Sequence, residues 1–81
     1  MAEQNTVTFE YAGKTFEADA KAATSWKVIK GLNSGGPAMF EAFDELFQGR
    51  ADEYADELGG DFRDMGELAG KAIEAAGAKN S

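Results

Sequence analysis

Residues 6–19, TVTFEYAGKTFEAD, decide the fold. In an extended chain Val7, Phe9 and Tyr11 point to one side while Thr8 and Glu10 point to the other. Phe16 and Ala18 continue the apolar side after a break at Ala12, Gly13 and Lys14, where Gly13 supplies the positive φ that a tight turn demands. The stretch predicts a β-hairpin over 6–18. A lone hairpin is marginal in water, so Phe9 and Phe16 require cover, either from a helix or from pairing with another subunit.

Beyond the hairpin the chain reads as helix. Asp19 is placed to cap a helix over 20–32, with Ala22, Ser25, Trp26, Ile29 and Leu32 on one side and Lys27 and Lys30 opposite. The run NSGG at 33–36 stops it, and Pro37 suits the first turn of a second helix over 37–48. There Met39, Phe40, Phe43, Leu46 and Phe47 share one face, while Glu41, Asp44 and Glu45 take the other. A third helix over 51–58 gathers Ala51, Tyr54, Ala55 and Leu58, and Gly59 and Gly60 end it as a left-handed C-cap does. Asp61 caps a last helix over 61–76, whose apolar side holds Phe62, Met65, Leu68, Ala69, Ala72, Ile73 and Ala76. The expected architecture is α+β and mainly helical: an N-terminal β-hairpin followed by three or four short helices. It forms one domain over 6–77, with 1–5 and 78–81 as disordered tails.

Composition narrows the function. A chain of 81 residues holds one small domain, burying only about 60% of the surface its unfolded form exposes. Fifteen acids against eight bases give a net charge of −7. Residues 1–36 balance, so the whole excess lies in 37–81, which argues against nucleic acid as a partner. Without cysteine there is no disulfide or thiolate metal site, and without histidine the usual general base and zinc ligand are gone. No stretch reads as a signal peptide, and no apolar run approaches the roughly 20 residues of a membrane span.

The remaining candidates for chemistry give way to structural readings. Asp52, Glu53, Asp56 and Glu57 cluster, but helical phase turns them away from Tyr54 and Leu58 and toward water, where their acidities are not tuned apart. Their spacing is not that of a calcium loop. Ser25 and Ser34 lack the preceding aspartate of a phosphopantetheine-bearing serine. NSGGP is not followed by the Lys-Ser or Lys-Thr of a phosphate-binding loop. Gly66 and Gly70, four apart in the last helix, read as local weakness in preference to a site of close approach, each costing about 1 kcal/mol against alanine. The sequence thus points to no enzyme, no cofactor and no metal.

Aromatic side chains are the other resource. Trp26, Phe40, Phe43, Phe47 and Phe62, with Met65, have the spacing of core residues. A thin domain built from five amphipathic segments rarely hides them all, and those left outside would form a hydrophobic docking surface for another polypeptide.

The order VTFEYAGKTFEAD, TSWKVIKGLN, MFEAFDELFQG and DFRDMGELAGKAIEAAG, covering about 7–77, resembles the short tail assembly chaperones of long-tailed bacteriophages and prophages. The GGPAM break at 35–39 departs from that pattern. The resemblance implies a non-enzymatic protein of the bacterial host cytoplasm. It would bind the tape measure protein during tail assembly, able to self-associate into a homo-oligomer and absent from the finished particle. It also implies a longer form made by ribosomal frameshifting, and Lys79–Asn80 can be encoded by a slippery heptamer. Two alternatives stand beside it: an acidic DNA mimic or inhibitor of a nucleic-acid-binding protein, and a small structural tail subunit.

Overall fold

The computed structural model describes residues 6–80, the last three by backbone alone. Strands β1 (Thr6–Tyr11) and β2 (Lys14–Asp19) form an antiparallel hairpin in which Phe9 faces Phe16 and Val7 faces Ala18. The two-residue turn places Ala12 at φ 54° and Gly13 at φ 79°. Both central residues are thus left-handed, the conformation that continues the twist of the strands. Five helices follow: α1 (Ala20–Ala23), α2 (Trp26–Leu32), α3 (Gly36–Leu46), α4 (Ala51–Glu57) and α5 (Phe62–Asn80). The fold is α+β and mainly helical, as the sequence predicts.

The cover that the hairpin needs comes from α5, which packs along β1 and against α1. Leu68, Ala72 and Ala76 of α5 are fully buried there, as are Phe16 and Ala18 on β2. Aromatic rings fill the centre. Tyr54 of α4 meets Phe16 edge-on at 4.9 Å and Phe47 at 5.5 Å, and Phe43 stacks near Phe47 at 6.4 Å. Such pairs add about 0.5–1.5 kcal/mol each beyond the area they bury.

Three boundaries differ from expectation. The helix expected over 20–32 is broken in two. The Thr24 hydroxyl donates to the carbonyls of Ala20 and Lys21, and the Ser25 hydroxyl accepts from the Val28 N–H at 3.4 Å. Side chains that bond their own backbone end one helix and cap the next, so the phase restarts at Trp26. The helix expected over 37–48 runs from Gly36 to Leu46, because Gln48 (φ 60°) and Gly49 (φ 82°) turn left-handed and Gly49 N–H reaches back to Asp44 O at 2.7 Å. The last helix continues past Ala76 to Asn80, where a tail from 78 is expected. The tails expected at 1–5 and at 81 lie outside the described residues.

Candidate functional site: an apolar groove with an acidic rim

Among the described residues the large hydrophobic side chains left in solvent are Trp26, Phe40 and Phe62, exposed by 80%, 60% and 56%. Burying a side chain of this size is worth about 1.5–3 kcal/mol, so each is a site where the folded monomer forgoes stability. Phe40 and Phe62 belong to one feature. They border a groove of about 260 Å³ between α3, α4 and the start of α5. Phe43 and Met65, both buried, form its floor together with Ala51 and the half-buried Ala55.

Local sequence explains the shape. Gly59 (φ 88°) and Gly60 (φ 80°) close α4 with a bond from Gly60 N–H to Ala55 O at 2.8 Å. Asp61 then opens α5, its carboxylate accepting from the Arg63 N–H at 2.8 Å. This left-handed turn brings Phe62 into the groove that Phe40 also lines. Alanine at 51 and 55 puts only small side chains of α4 into the groove lining.

The rim is acidic. Asp44, Asp52 and Asp61 stand around the apolar floor. Asp61 is held below the usual aspartate range by the Arg63 side chain, whose guanidinium bonds it at 3.1 Å, and by the Arg63 N–H. Asp44 and Asp52 are exposed and make no ion pair among the described residues. The neighbouring acids Glu53, Asp56 and Glu57 are exposed as well. Among the described residues no three acidic side chains come together to hold a metal ion. What the arrangement offers is a surface for binding: apolar contact in the middle, negative charge at the edge.

Of the six residues singled out from the sequence, four meet here: Phe40, Phe43, Phe62 and Met65. Phe47 is fully buried against Tyr54 and is closed to a partner. Trp26 lies elsewhere, as the first residue of α2, with its ring in water. The expectation that it shares a core face with Ile29 and Leu32 fails because the Thr24–Ser25 break makes Val28 the inward residue. The Thr-Ser pair just before the tryptophan is the signal that locates this break. The rim acids and Ala51 and Ala55 have no local signal, since their roles arise only from how three helices meet.

A second hollow, of about 270 Å³, lies on the other side of Phe43 between α2, α3 and α5, where Ile29, Leu32 and Ile73 surround Gly66 and Gly70. No helix among the described residues is long and apolar enough to cross a membrane. Comparison with protein-family models, with curated proteins and with solved structures finds no match to this chain.

Proposed function

We propose that the chain is an assembly chaperone that binds another polypeptide and catalyses no reaction, and that it serves phage tail assembly by holding the tape measure protein in the bacterial cytoplasm. The observation that carries this reading is the pair Phe40 and Phe62, exposed by 60% and 56% and lining the same apolar groove. A groove of this kind suits one face of an amphipathic helix, which anchors by apolar side chains at intervals of three or four. The net charge of −7 keeps such a surface dispersed in water. An acidic mimic of DNA needs an unbroken stripe of carboxylates. Here large apolar side chains interrupt the acids, which favours a polypeptide partner.

Co-expression with the tape measure protein encoded in the same gene cluster tests the reading. The expected result is a soluble complex, lost when Phe40 and Phe62 are both changed to Ser. No complex, and no gain in the solubility of the tape measure protein, would count against it.

A further inference from the structure

The groove differs in charge from other hollows of the molecule. Its charged lining residues are Asp44, Asp52 and Asp61, and no base among the described residues joins them. The hollow between α2 and α3 sets Lys27 and Lys30 beside Glu41 and Glu45, so that its charges cancel. Another mixes Asp19 and Glu45 with Lys21. The hollow beyond Phe43 has no charged side chain among the described residues. The three acids of the groove come from all three of its walls, each close in sequence to an apolar residue of the same wall. On α3, Phe40 and Asp44 stand four apart and share a face; on α4, Asp52 and Ala55 stand three apart; at the start of α5, Asp61 precedes Phe62. Arg63 answers Asp61 at 3.1 Å, which leaves Asp44 and Asp52 exposed and without ion pairs among the described residues. From Ala51 to Phe62 the chain has five acids and no base, and Arg50, just before them, is engaged with Glu17 of the hairpin at 2.9 Å. The counter-charge for Asp44 and Asp52 has to come from a partner.

We propose that the groove selects helical segments whose apolar stripe is flanked by lysine or arginine, a single large anchor resting on Phe43 and Met65 while the flanking bases meet Asp44 and Asp52. The inference rests on the groove being the polypeptide-binding site, and it adds which segments of a client that site takes. An apolar cavity of about 150 Å³ admits a benzene ring, so a groove of about 260 Å³ holds one aromatic anchor and not two. Met65 on the floor is flexible and polarizable and adapts to anchors of different shape. Shape therefore discriminates little, and charge does the selecting. A basic flank replaces the water lost from the rim carboxylates with a counter-ion, whereas an acidic flank brings like charge against Asp44 and Asp52. Salt narrows the preference, because the Debye length shrinks from about 8 Å at physiological ionic strength to about 3 Å at 1 M.

Two synthetic peptides test the selection. One is an amphipathic helix with a leucine stripe, one phenylalanine anchor and lysines along both flanks; its twin carries glutamate at every lysine position. Titrated with the full chain at physiological ionic strength, the lysine peptide is expected to bind saturably and the twin at least about tenfold more weakly. Asp44→Asn/Asp52→Asn, at exposed positions, should weaken the lysine peptide about fivefold, the weight of two exposed ion pairs. Glu10→Gln/Glu74→Gln makes the same change in net charge at exposed positions outside the groove lining. It should leave the affinity within about twofold, since charges beyond a Debye length are screened. Phe40→Ser/Phe62→Ser should abolish binding, and 1 M salt should narrow the gap between the peptides. Equal affinity for the two peptides, or no binding by either, would overturn the proposal. So would a lysine peptide that is indifferent to Asp44→Asn/Asp52→Asn, or one weakened as much by the remote pair, which would make net charge the cause. Undiminished binding to Phe40→Ser/Phe62→Ser would overturn it too, by placing the peptide outside the groove. If the tape measure protein forms its complex while the two peptides bind alike, the charge selection fails and the proposed function stands; that function fails separately, if no such complex forms.

Discussion

The hydroxyl of Tyr54 accepts a hydrogen bond from the backbone N–H of Glu17 at 3.2 Å, which ties α4 to the outer edge of β2. The same tyrosine ring lies between Phe16 and Phe47, with the Arg50 guanidinium 5.5 Å from its centre. Arg50 in turn pairs with Glu17 at 2.9 Å. One side chain thus closes the free edge of the hairpin, fills the core and positions the helix that supplies the groove floor. Removing only the hydroxyl, in Tyr54→Phe, leaves the ring packing intact and orphans the Glu17 N–H. The expected cost is about 1–2 kcal/mol, read as a lower midpoint in urea with an unchanged slope.

The hairpin turn is suboptimal. Ala12 sits at φ 54°, a left-handed conformation that costs an ordinary L-residue roughly 1–2 kcal/mol, while asparagine followed by glycine is the preferred pair for such a turn. Ala12→Asn should raise the thermal midpoint by several degrees, corresponding to about 1 kcal/mol in a domain of this size. An unchanged or lowered midpoint would mean that the turn is not of this type.

Three helical glycines should respond with opposite signs. A Cβ at Gly31 would lie 3.0 Å from the Ala42 Cβ and 3.1 Å from the Ala38 carbonyl oxygen, so α2 and α3 approach too closely for a larger residue. Gly31→Ala should destabilise the fold. At Gly66 and Gly70 a Cβ meets nothing within 4 Å, and each replacement by alanine should stabilise α5 by about 0.5–1 kcal/mol. Denaturation of the three single variants decides the matter.

Alkaline pH probes the contact between hairpin and last helix. The Tyr11 hydroxyl donates to Glu67 at 2.5 Å and to Asp64 at 3.3 Å, and these bonds, with the negative charge nearby, push the phenol well above its ordinary value. The folded state therefore holds this proton more tightly than the unfolded chain does. The stabilisation is complete below about pH 10, the ordinary value for tyrosine, and is lost as pH rises toward the higher folded value. Ultraviolet titration should show Tyr11 ionising late, a step that Tyr11→Phe should remove.

How much of the molecule is legible in its sequence depends on the range of the forces involved. The hairpin and the caps Asp19 and Asp61 follow from local chemistry and are found as expected. So do the inward faces of Ala51 and Tyr54 and of Met65, Leu68 and Ala72. The break at Thr24–Ser25 is local too, yet hydroxyls that bond their own backbone compete closely with helix continuation, and periodicity alone does not register them. Phe40 and Phe47 have almost the same helical phase, but one is 60% exposed and the other fully buried. What separates them is position along the helix: Phe47, at the C-terminal cap of α3, reaches Tyr54 at the centre of the molecule, while Phe40 lies two turns further out, beside the start of α5. That difference is tertiary, and the groove inherits it.

The central claim is that the surface between Phe40 and Phe62 grips another polypeptide. Fluorescence anisotropy with labelled helical segments of the tape measure protein, titrated with wild-type chain and with the Phe40→Ser/Phe62→Ser variant, measures it directly. The account predicts saturable binding to the wild type and affinity at least tenfold weaker in the variant, about 1.4 kcal/mol or more, with the variant's thermal midpoint no lower. Equal affinity for the two proteins, or no binding by either, would contradict it.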